Sequence, residues 1–243
     1  ITGTNGKGSV TALIANGLTA AGRKTGRYTS PHLEAYTERM SVDGREISRE
    51  DFAAVTEKIS RAVEAMKAAG TEQPTEFEML TAMAFLYFAE QDVAYAVIEV
   101  GMGGLLDSTN VVLPVMSVIT NVALDHTAYC GTTVEEIARH KAGIIKDGVP
   151  VITAADGAAL DAVAERAAAK GAPLCVLGKD IAVTRRSLEK AAAGGLVGAA
   201  FAFSSSACAF FSSSCAFCKA ALSSSLSGSL FRFAFAISSL AFF

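Results

Sequence analysis

The residues with the clearest chemical potential stand at the start of the chain. Gly3-Thr4-Asn5-Gly6-Lys7-Gly8-Ser9 surrounds one lysine and one hydroxyl residue with glycines, and an apolar helical pattern follows at once. Glycines let a backbone curl closely around an anion and aim successive N–H groups at it, and the helix N-terminus behind them adds partial positive charge. In such a loop Lys7 reaches a terminal phosphate oxygen as a point charge. Ser9 offers a hydroxyl to a phosphate or to a bound Mg²⁺. The usual phosphate-loop pattern has Ser or Thr directly after the lysine, whereas Gly8 intervenes here. A plain glycine-rich turn is the competing reading.

Three further residues have the donor chemistry of a metal–nucleotide site. Mg²⁺ prefers a few hard oxygen ligands, keeps waters, and bridges protein to nucleotide phosphates. Ser30 and Glu99 are suitable oxygen donors and His126 a nitrogen donor, with Asp125 placed to orient His126 or to reach a metal through water. The alternatives are ordinary ones. Glu99 can be a strand-end acid paired with a lysine, and His126 a loop histidine bonded to backbone. A dinucleotide fingerprint at Gly101-x-Gly103-Gly104 fails, because its sixth position is Leu106 and no helical pattern follows directly.

These residues need elements to hold them. Apolar periodicity predicts a helix over 10–21 with Leu13, Ile14 and Leu18 on one face, ending at Gly22. A short strand follows over 25–29, then a hairpin over 40–47 turning at Asp43-Gly44. Ser48 with Asp51 opens a helix to about 69, with Phe52, Val55, Ile59, Val63 and Met66 inward. Thr75 with Glu78 caps a helix over 77–89, and 94–100 is a continuous apolar strand of the buried parallel kind, closing with Glu99. A strand over 115–120 leads to the polar cluster 121–126, and Thr133 with Glu136 caps a helix carrying His140, Lys141 and Lys146. Segments 149–153, 160–169 and 173–177 continue the strand–helix–strand alternation. The fold class is therefore α/β, a largely parallel sheet flanked by helices with a phosphate loop at its start. Ligands of such sheets lie off the carboxyl ends of the strands, where Ser30, Glu99, Asp125 and His126 all fall.

Bulk properties narrow the partners. The 243 residues carry a net charge of −3, which gives no basic footprint for nucleic acid. Cys130, Cys175, Cys208, Cys215 and Cys218 are an odd set that fits a reducing, cytoplasmic setting better than a disulfide scaffold. The chain opens at the loop with no signal peptide ahead of it, and the strand that delivers the loop is read as truncated. From about Gly194 the composition shifts to serine triplets (204–206, 212–214, 223–225) among Phe, Ala and Cys, with no acid after Glu189. A membrane span needs about 20 mostly apolar residues, and the triplets interrupt any such run. Cys215-x-x-Cys218 lacks the second ligand pair of a zinc site. Residues 1–190 are read as an ATP-binding domain and 191–243 as an aberrant low-complexity tail.

Six ordered stretches over roughly residues 1–180 bear a specific resemblance. They are Gly3 to Ser9; Tyr28-Thr29-Ser30-Pro31-His32-Leu33; Glu99-Val100-Gly101-Met102-Gly103-Gly104; Leu106-Asp107-Ser108-Thr109-Asn110; Leu124-Asp125-His126-Thr127; and Lys141-Ala142-Gly143-Ile144-Ile145-Lys146. Together they resemble folylpolyglutamate synthase/dihydrofolate synthase, the folate branch of the Mur ligase superfamily. The resemblance implies a Mur ligase central-domain-like fold and an ATP- and Mg²⁺-dependent ligase joining L-glutamate to a folate or dihydropteroate carboxylate through an acyl phosphate. It implies a monomer acting on small molecules, with no nucleic acid or membrane partner. It further implies that Asn5, Gly6, Lys7, Gly8 and Ser9 hold the triphosphate and that Ser30, Glu99 and His126 hold Mg²⁺. Thr75, Glu76, Phe77, Glu78, Leu106, Asp107 and Ser108 would line the pteridine pocket. Lys7, Lys141 and His126 would carry the chemistry, Lys141 as a carbamate.

Two departures bear on that reading. Leu105 stands where the family usually has arginine, and the family's C-terminal domain, which contributes adenine, ribose and glutamate contacts, is absent from the sequence. The ligase activity is therefore expected of a parent enzyme, and the chain as written is expected to be inactive. A peptidoglycan-precursor or cyanophycin-type ligase and a non-catalytic nucleotide-binding fragment are the alternatives. The Thr-Ser-Pro-His-Leu and Leu-Asp-Ser-Thr-Asn stretches disfavour the former, and the missing second domain favours the latter.

Overall fold

Three helix starts in this chain, at Ser48, Thr75 and Thr133, sit where a side chain can satisfy the orphan N–H groups of the first turn. In a computed structural model, which describes residues 1–181 in full and the backbone of strands 183–190 and 197–203, α1 covers Lys7–Ala20 behind the glycine loop. Strand β1 (Thr25–Tyr28) precedes the hairpin of β2 (Met40–Val42) and β3 (Arg45–Glu46). Helices α2 (Arg49–Ala68) and α3 (Glu76–Glu90) lead to β4 (Tyr95–Ile98) and then β5 (Ser117–Ile119). A short α4 (Thr127–Cys130), α5 (Val134–Lys141), β6 (Val151–Thr153), α6 (Gly157–Ala169) and β7 (Leu174–Val176) follow. Strands β8 (Val183–Lys190) and β9 (Val197–Phe203) pair antiparallel.

The predicted caps form. Ser48 Oγ accepts from the Asp51 N–H at 3.0 Å, and Thr75 with Glu78 and Thr133 with Glu136 close reciprocal capping boxes. Asp43 and Gly44 both have positive φ, as the two-residue hairpin turn requires.

Strand order is β3-β2-β1-β4 in one sheet and β5-β6-β7 in another; β1–β4, β5–β6 and β6–β7 pair parallel, while β2 pairs antiparallel with both β1 and β3. The opening residues lie between the two. Ile1 donates to Ile98 O and accepts from Val100 N, while Thr2 exchanges bonds with Val118 O and Thr120 N. The two sheets thereby become one surface, with the carboxyl ends of this stretch, β1, β4 and β5 on one side. One core lies between sheet and α5–α6 around Ile119, Ile145, Val151 and Val163. The other, around Tyr28, Met40, Val55 and Phe88, is closed by α2 and α3.

Two expectations need correction. In α1 the inward residues are Thr11, Ala15 and Leu18, while Leu13 is 65% exposed; with the helix starting at Lys7, its buried stripe runs along positions three and four apart that leave Leu13 outside. Lys146 is not on α5. That helix passes into a 3-10 turn at 142–144, and Lys146 beyond it donates to Asn110 O at 2.8 Å. Among the described residues no helix is long and apolar enough to cross a membrane. The readings made for 191–243, including the Cys215–Cys218 pair, lie outside the described residues apart from the β9 backbone.

Phe88 is fully buried against Gly26 of β1, where an added Cβ would come within 2.7 Å of the ring. Because that ring fills the space between α3 and the sheet, Phe88→Ala should destabilise the chain by about 3–5 kcal/mol, read as a lower midpoint in urea or thermal unfolding.

Candidate active site

The phosphate-loop geometry is present in the backbone. Gly6 takes φ +79° at the helix N-cap, and Lys7 Nζ donates to the Gly3 and Thr4 carbonyls at 3.0 and 3.3 Å. The loop is tied to the end of β5, since Thr4 N donates to Asn121 O, Asn5 N to Asn121 Oδ1, and Thr120 Oγ1 to Asn5 O. Gly3 has to be glycine here, because a Cβ would overlap the Thr120 hydroxyl. The plain-turn reading has no need of these ties.

Glu99 stands directly opposite the start of α1. It is 4% exposed, its Oε2 accepts from the Ser30 backbone N–H at 3.2 Å, and its two oxygens lie 3.5–3.6 Å from where a Gly8 side chain would begin. That is ordinary contact distance. Gly8 is thus not forced by sterics, but it leaves the carboxylate face open to the loop. Burial pushes the Glu99 carboxyl above the usual range, and the Ser30 N–H and the Lys7 charge offset only part of this. A buried, incompletely compensated carboxylate beside a phosphate loop and Ser30 fits a hard, oxygen-seeking cation. Three predicted residues, Ser30, Glu99 and the loop lysine, are therefore brought together.

His126 stands beyond β5, on the loop that follows it. It sits at the N-cap of α4 with φ +47°, its N–H donates to Asp125 Oδ1 at 2.9 Å, and its Nε2 lies 3.5 Å from Asp125 Oδ2. Among the described residues no three His, Cys, Asp or Glu side chains gather closely enough to hold a metal ion. Asp125 therefore contacts both the backbone N–H and the ring of His126, as the first of its two expected roles requires.

Lys141 closes the site from the side of α5. It is 2% exposed, and its amine is pushed below the ordinary lysine range first by burial and then by the charge of Lys7. Lys141 is thus no surface lysine free to pair with Glu135 or Glu136. Glu136 is occupied by Thr132 N, Thr133 N and the Thr132 hydroxyl.

A cleft of about 580 Å³, in the usual range for small-molecule sites, opens beside these groups. Of the four residues predicted on α3, Phe77 reaches it. Phe77 packs on Gly101, where a Cβ would sit 2.5 Å from the ring. Thr75 and Glu78 are engaged in the cap, and Glu76 accepts from the Tyr36 hydroxyl at 2.8 Å. Leu106, Asp107 and Ser108 all line the cleft. Asp107 also holds the loop in shape, accepting from Met102 N, Thr109 N and the Thr109 hydroxyl. Leu105 is half-exposed and donates its N–H to His140 O. Arg39, Tyr129, Cys130 and His140 also line the cleft and escaped sequence reasoning. Arg39 stands in a 3-10 turn with no motif signal, and His140 was read only as a residue of the helix that carries Lys141.

Residues 1–194 match the Mur ligase middle domain. The chain belongs to that family. This Mur ligase middle domain is 49% identical over 155 residues to the dihydrofolate synthase/folylpolyglutamate synthase of Bacillus subtilis, covering 63% of this chain and 36% of that protein. It is 42% identical over 192 residues to the folylpolyglutamate synthase of Lacticaseibacillus casei, covering 77% and 44%. Among solved structures it superposes on a folylpolyglutamate synthase–AMPPCP complex with TM-score 0.77 and 40% identity, covering 83% of this chain and 49% of that one. The Thermotoga maritima folylpolyglutamate synthase gives TM-score 0.73 at 38% identity, covering 84% and 45%. The chain spans less than half the length of the curated relatives it matches here.

Glu99→Gln should separate stability from binding in this domain. Removing a desolvated charge raises the thermal midpoint of the nucleotide-free chain by about 2–4 °C for each kcal/mol recovered, while calorimetric affinity for Mg²⁺–AMPPCP falls.

Proposed function

We propose that this domain is the nucleotide-binding and acceptor-binding part of an ATP-dependent ligase that adds L-glutamate to a folate or dihydropteroate carboxylate. The observation that carries the reading is the convergence of the phosphate loop, Glu99, Ser30 and buried Lys141 beside a cleft lined by Phe77 and the 106–108 loop. Support comes also from the relatives, which are named dihydrofolate and folylpolyglutamate synthases, and from a related complex holding AMPPCP and folate. That naming favours the folate branch over other Mur-type ligases.

The chemistry needs positioning and charge neutralisation more than covalent help. The acceptor carboxylate attacks the γ-phosphorus of ATP, the bond to the ADP oxygen breaks, and an acyl phosphate forms. The glutamate amine then attacks the acyl carbon, phosphate leaves, and the amine loses its proton. In this scheme Gly6, Gly8 and Ser9 cradle the phosphates with Asn5, and Lys7 leaves the Gly3 and Thr4 carbonyls to meet the transferred group. Glu99, Ser30 and His126 would hold Mg²⁺, which when bound neutralises phosphate charge. Phe77 offers an aromatic face to a flat heterocycle, and the Gly101 backbone keeps it in place.

Lys141 has a role that its burial makes intelligible. An ammonium beside Lys7 and a cation site brings like charges together in a poorly solvated place. Its depressed basicity favours the neutral amine, whose attack on CO₂ gives a carbamate and releases a proton. The sign of the interaction is then reversed. A residue of this kind organises the acceptor side of the cation site.

The test of the whole reading is phosphate release by the full-length ligase that carries this domain, measured with ATP while folate and glutamate are omitted in turn. Release that requires both supports it, and release indifferent to folate overturns it. In the same assay Lys7→Ala should lower turnover by about 10²–10³-fold, the usual loss for one preorganised charge contact. Near-normal turnover would remove the loop from the mechanism. Lys141→Ala should also abolish activity, with partial recovery on adding acetate or another short carboxylate, whereas a lysine that merely packs would show no such rescue.

A further inference from the structure

The loop that brings Leu106, Asp107 and Ser108 to the cleft wall is fixed from its other side. There it lies on the end of α5 and on the 3-10 turn 142–144 that continues from Lys141. Leu105 N donates to His140 O at 2.9 Å, and Gly104 packs so closely that an added Cβ would come within 2.8 Å of the Lys141 carbonyl. A Cβ on Gly143 would overlap Leu105. Leu106 is 83% exposed, so the loop is anchored by polar ties rather than by apolar burial.

Those ties converge on Asn110. Its Nδ2 donates to Leu105 O at 3.0 Å and to Gly143 O at 3.2 Å, and its carbonyl accepts from Lys146 Nζ at 2.8 Å. Neither Asn110 nor Lys146 lines the cleft. Lys146 is half-buried, and among the described residues it forms no ion pair. The adjacent acid, Asp147, is taken by Lys170 at 2.9 Å. Burial, followed by the charges of Arg166 and Lys170, pushes the Lys146 amine below the ordinary lysine range. A cation in such a place is unfavourable by itself, and the contact that offsets this is the charge-assisted bond to the Asn110 carbonyl.

We propose that Lys146 is a positioning residue for the acceptor, clamping the 105–110 loop against the turn that follows Lys141 so that acceptor and Lys141 keep one spacing. The inference rests on the folate-ligase reading and deepens it. The same short segment carries Lys141 into the site and, through Gly143 and Lys146, holds the loop that shapes the acceptor pocket. A loop released from this clamp visits other positions, and acceptor affinity falls with the fraction still in place. The phosphate loop is tied separately, to Asn121 at the end of β5, so the clamp acts on the acceptor and not on the nucleotide.

Calorimetry on the 243-residue chain, with Mg²⁺–AMPPCP alone and then with folate added, tests this directly. Lys146→Met should weaken folate by roughly 10-fold, the scale of one lost charge-assisted bond, and leave Mg²⁺–AMPPCP affinity unchanged. Lys146→Arg, which restores a charged donor, should recover most of the folate affinity. A lysine that only stabilises its own turn would, when replaced, weaken both ligands together, and that result refutes the proposal. So does a folded Lys146→Met chain that binds folate like the wild type. Where the methionine variant fails to fold, Asn110→Ala frees the same loop from Leu105 and Gly143 and must give the same split; unchanged folate affinity there overturns the clamp. If the wild-type chain binds Mg²⁺–AMPPCP but no folate, the acceptor reading falls and the clamp with it, whereas folate binding without the split refutes the clamp alone.

Discussion

The arrangement depends on one set of backbone hydrogen bonds, those by which Ile1 to Thr4 bridge β4 and β5. Without them the chain has a four-stranded and a three-stranded sheet whose carboxyl ends share no reference frame. With them the glycine loop leaves the sheet between Glu99 and Asn121, and every charged group of the site is measured from that point. Parallel strands supply this geometry because their ends all exit on one side.

The second constraint is desolvation. Glu99 and Lys141 are both almost completely buried, one acid and one base, and neither is joined to the other in an ion pair. Each is held in its less charged inclination by its surroundings. Groups kept in this way are ready to respond to an arriving phosphate or cation, because binding relieves a state that folding alone leaves unfavourable. The apolar scaffolds behind them, around Ile119 and Ile145 on one side and Tyr28 and Phe88 on the other, are what hold such groups out of water.

Much of this was legible in the chain. The capping residues Ser48, Thr75 and Thr133, the Asp43-Gly44 turn and the apolar strand ending in Glu99 are local signals whose physics acts within a few residues, and all of them appear as read. The meeting of Ser30 with Glu99 followed from strand-end placement. Leu13 was misplaced because the buried face of α1 is marked by the small residues Thr11 and Ala15 beside Leu18, and Lys146 because α5 ends at Lys141. Glu78 was read as both a cap and a pocket residue, and its carboxylate serves the cap. Arg39, His140 and Cys130 were invisible as cleft residues, since nothing in their sequence neighbourhood says which side of a 3-10 turn or a short helix faces a cavity. The folate-branch motifs were stronger guides than composition, which separated only broad classes.

The resting position of Lys7 carries a consequence for how tightly this loop can hold anything. Its ammonium already bonds to the Gly3 and Thr4 carbonyls, so the loop is its own first ligand. An incoming phosphate competes with an internal contact at very high local concentration, and the observed affinity is the intrinsic one scaled by the fraction of loops whose lysine is free. Such a competitor weakens every anion by the same factor. Small anions such as inorganic phosphate are then left too weak to occupy the loop, and a triphosphate with many additional contacts still displaces the lysine. The ratio of affinities between anions is unchanged by this competition; what it raises is the concentration that each anion needs to occupy the loop.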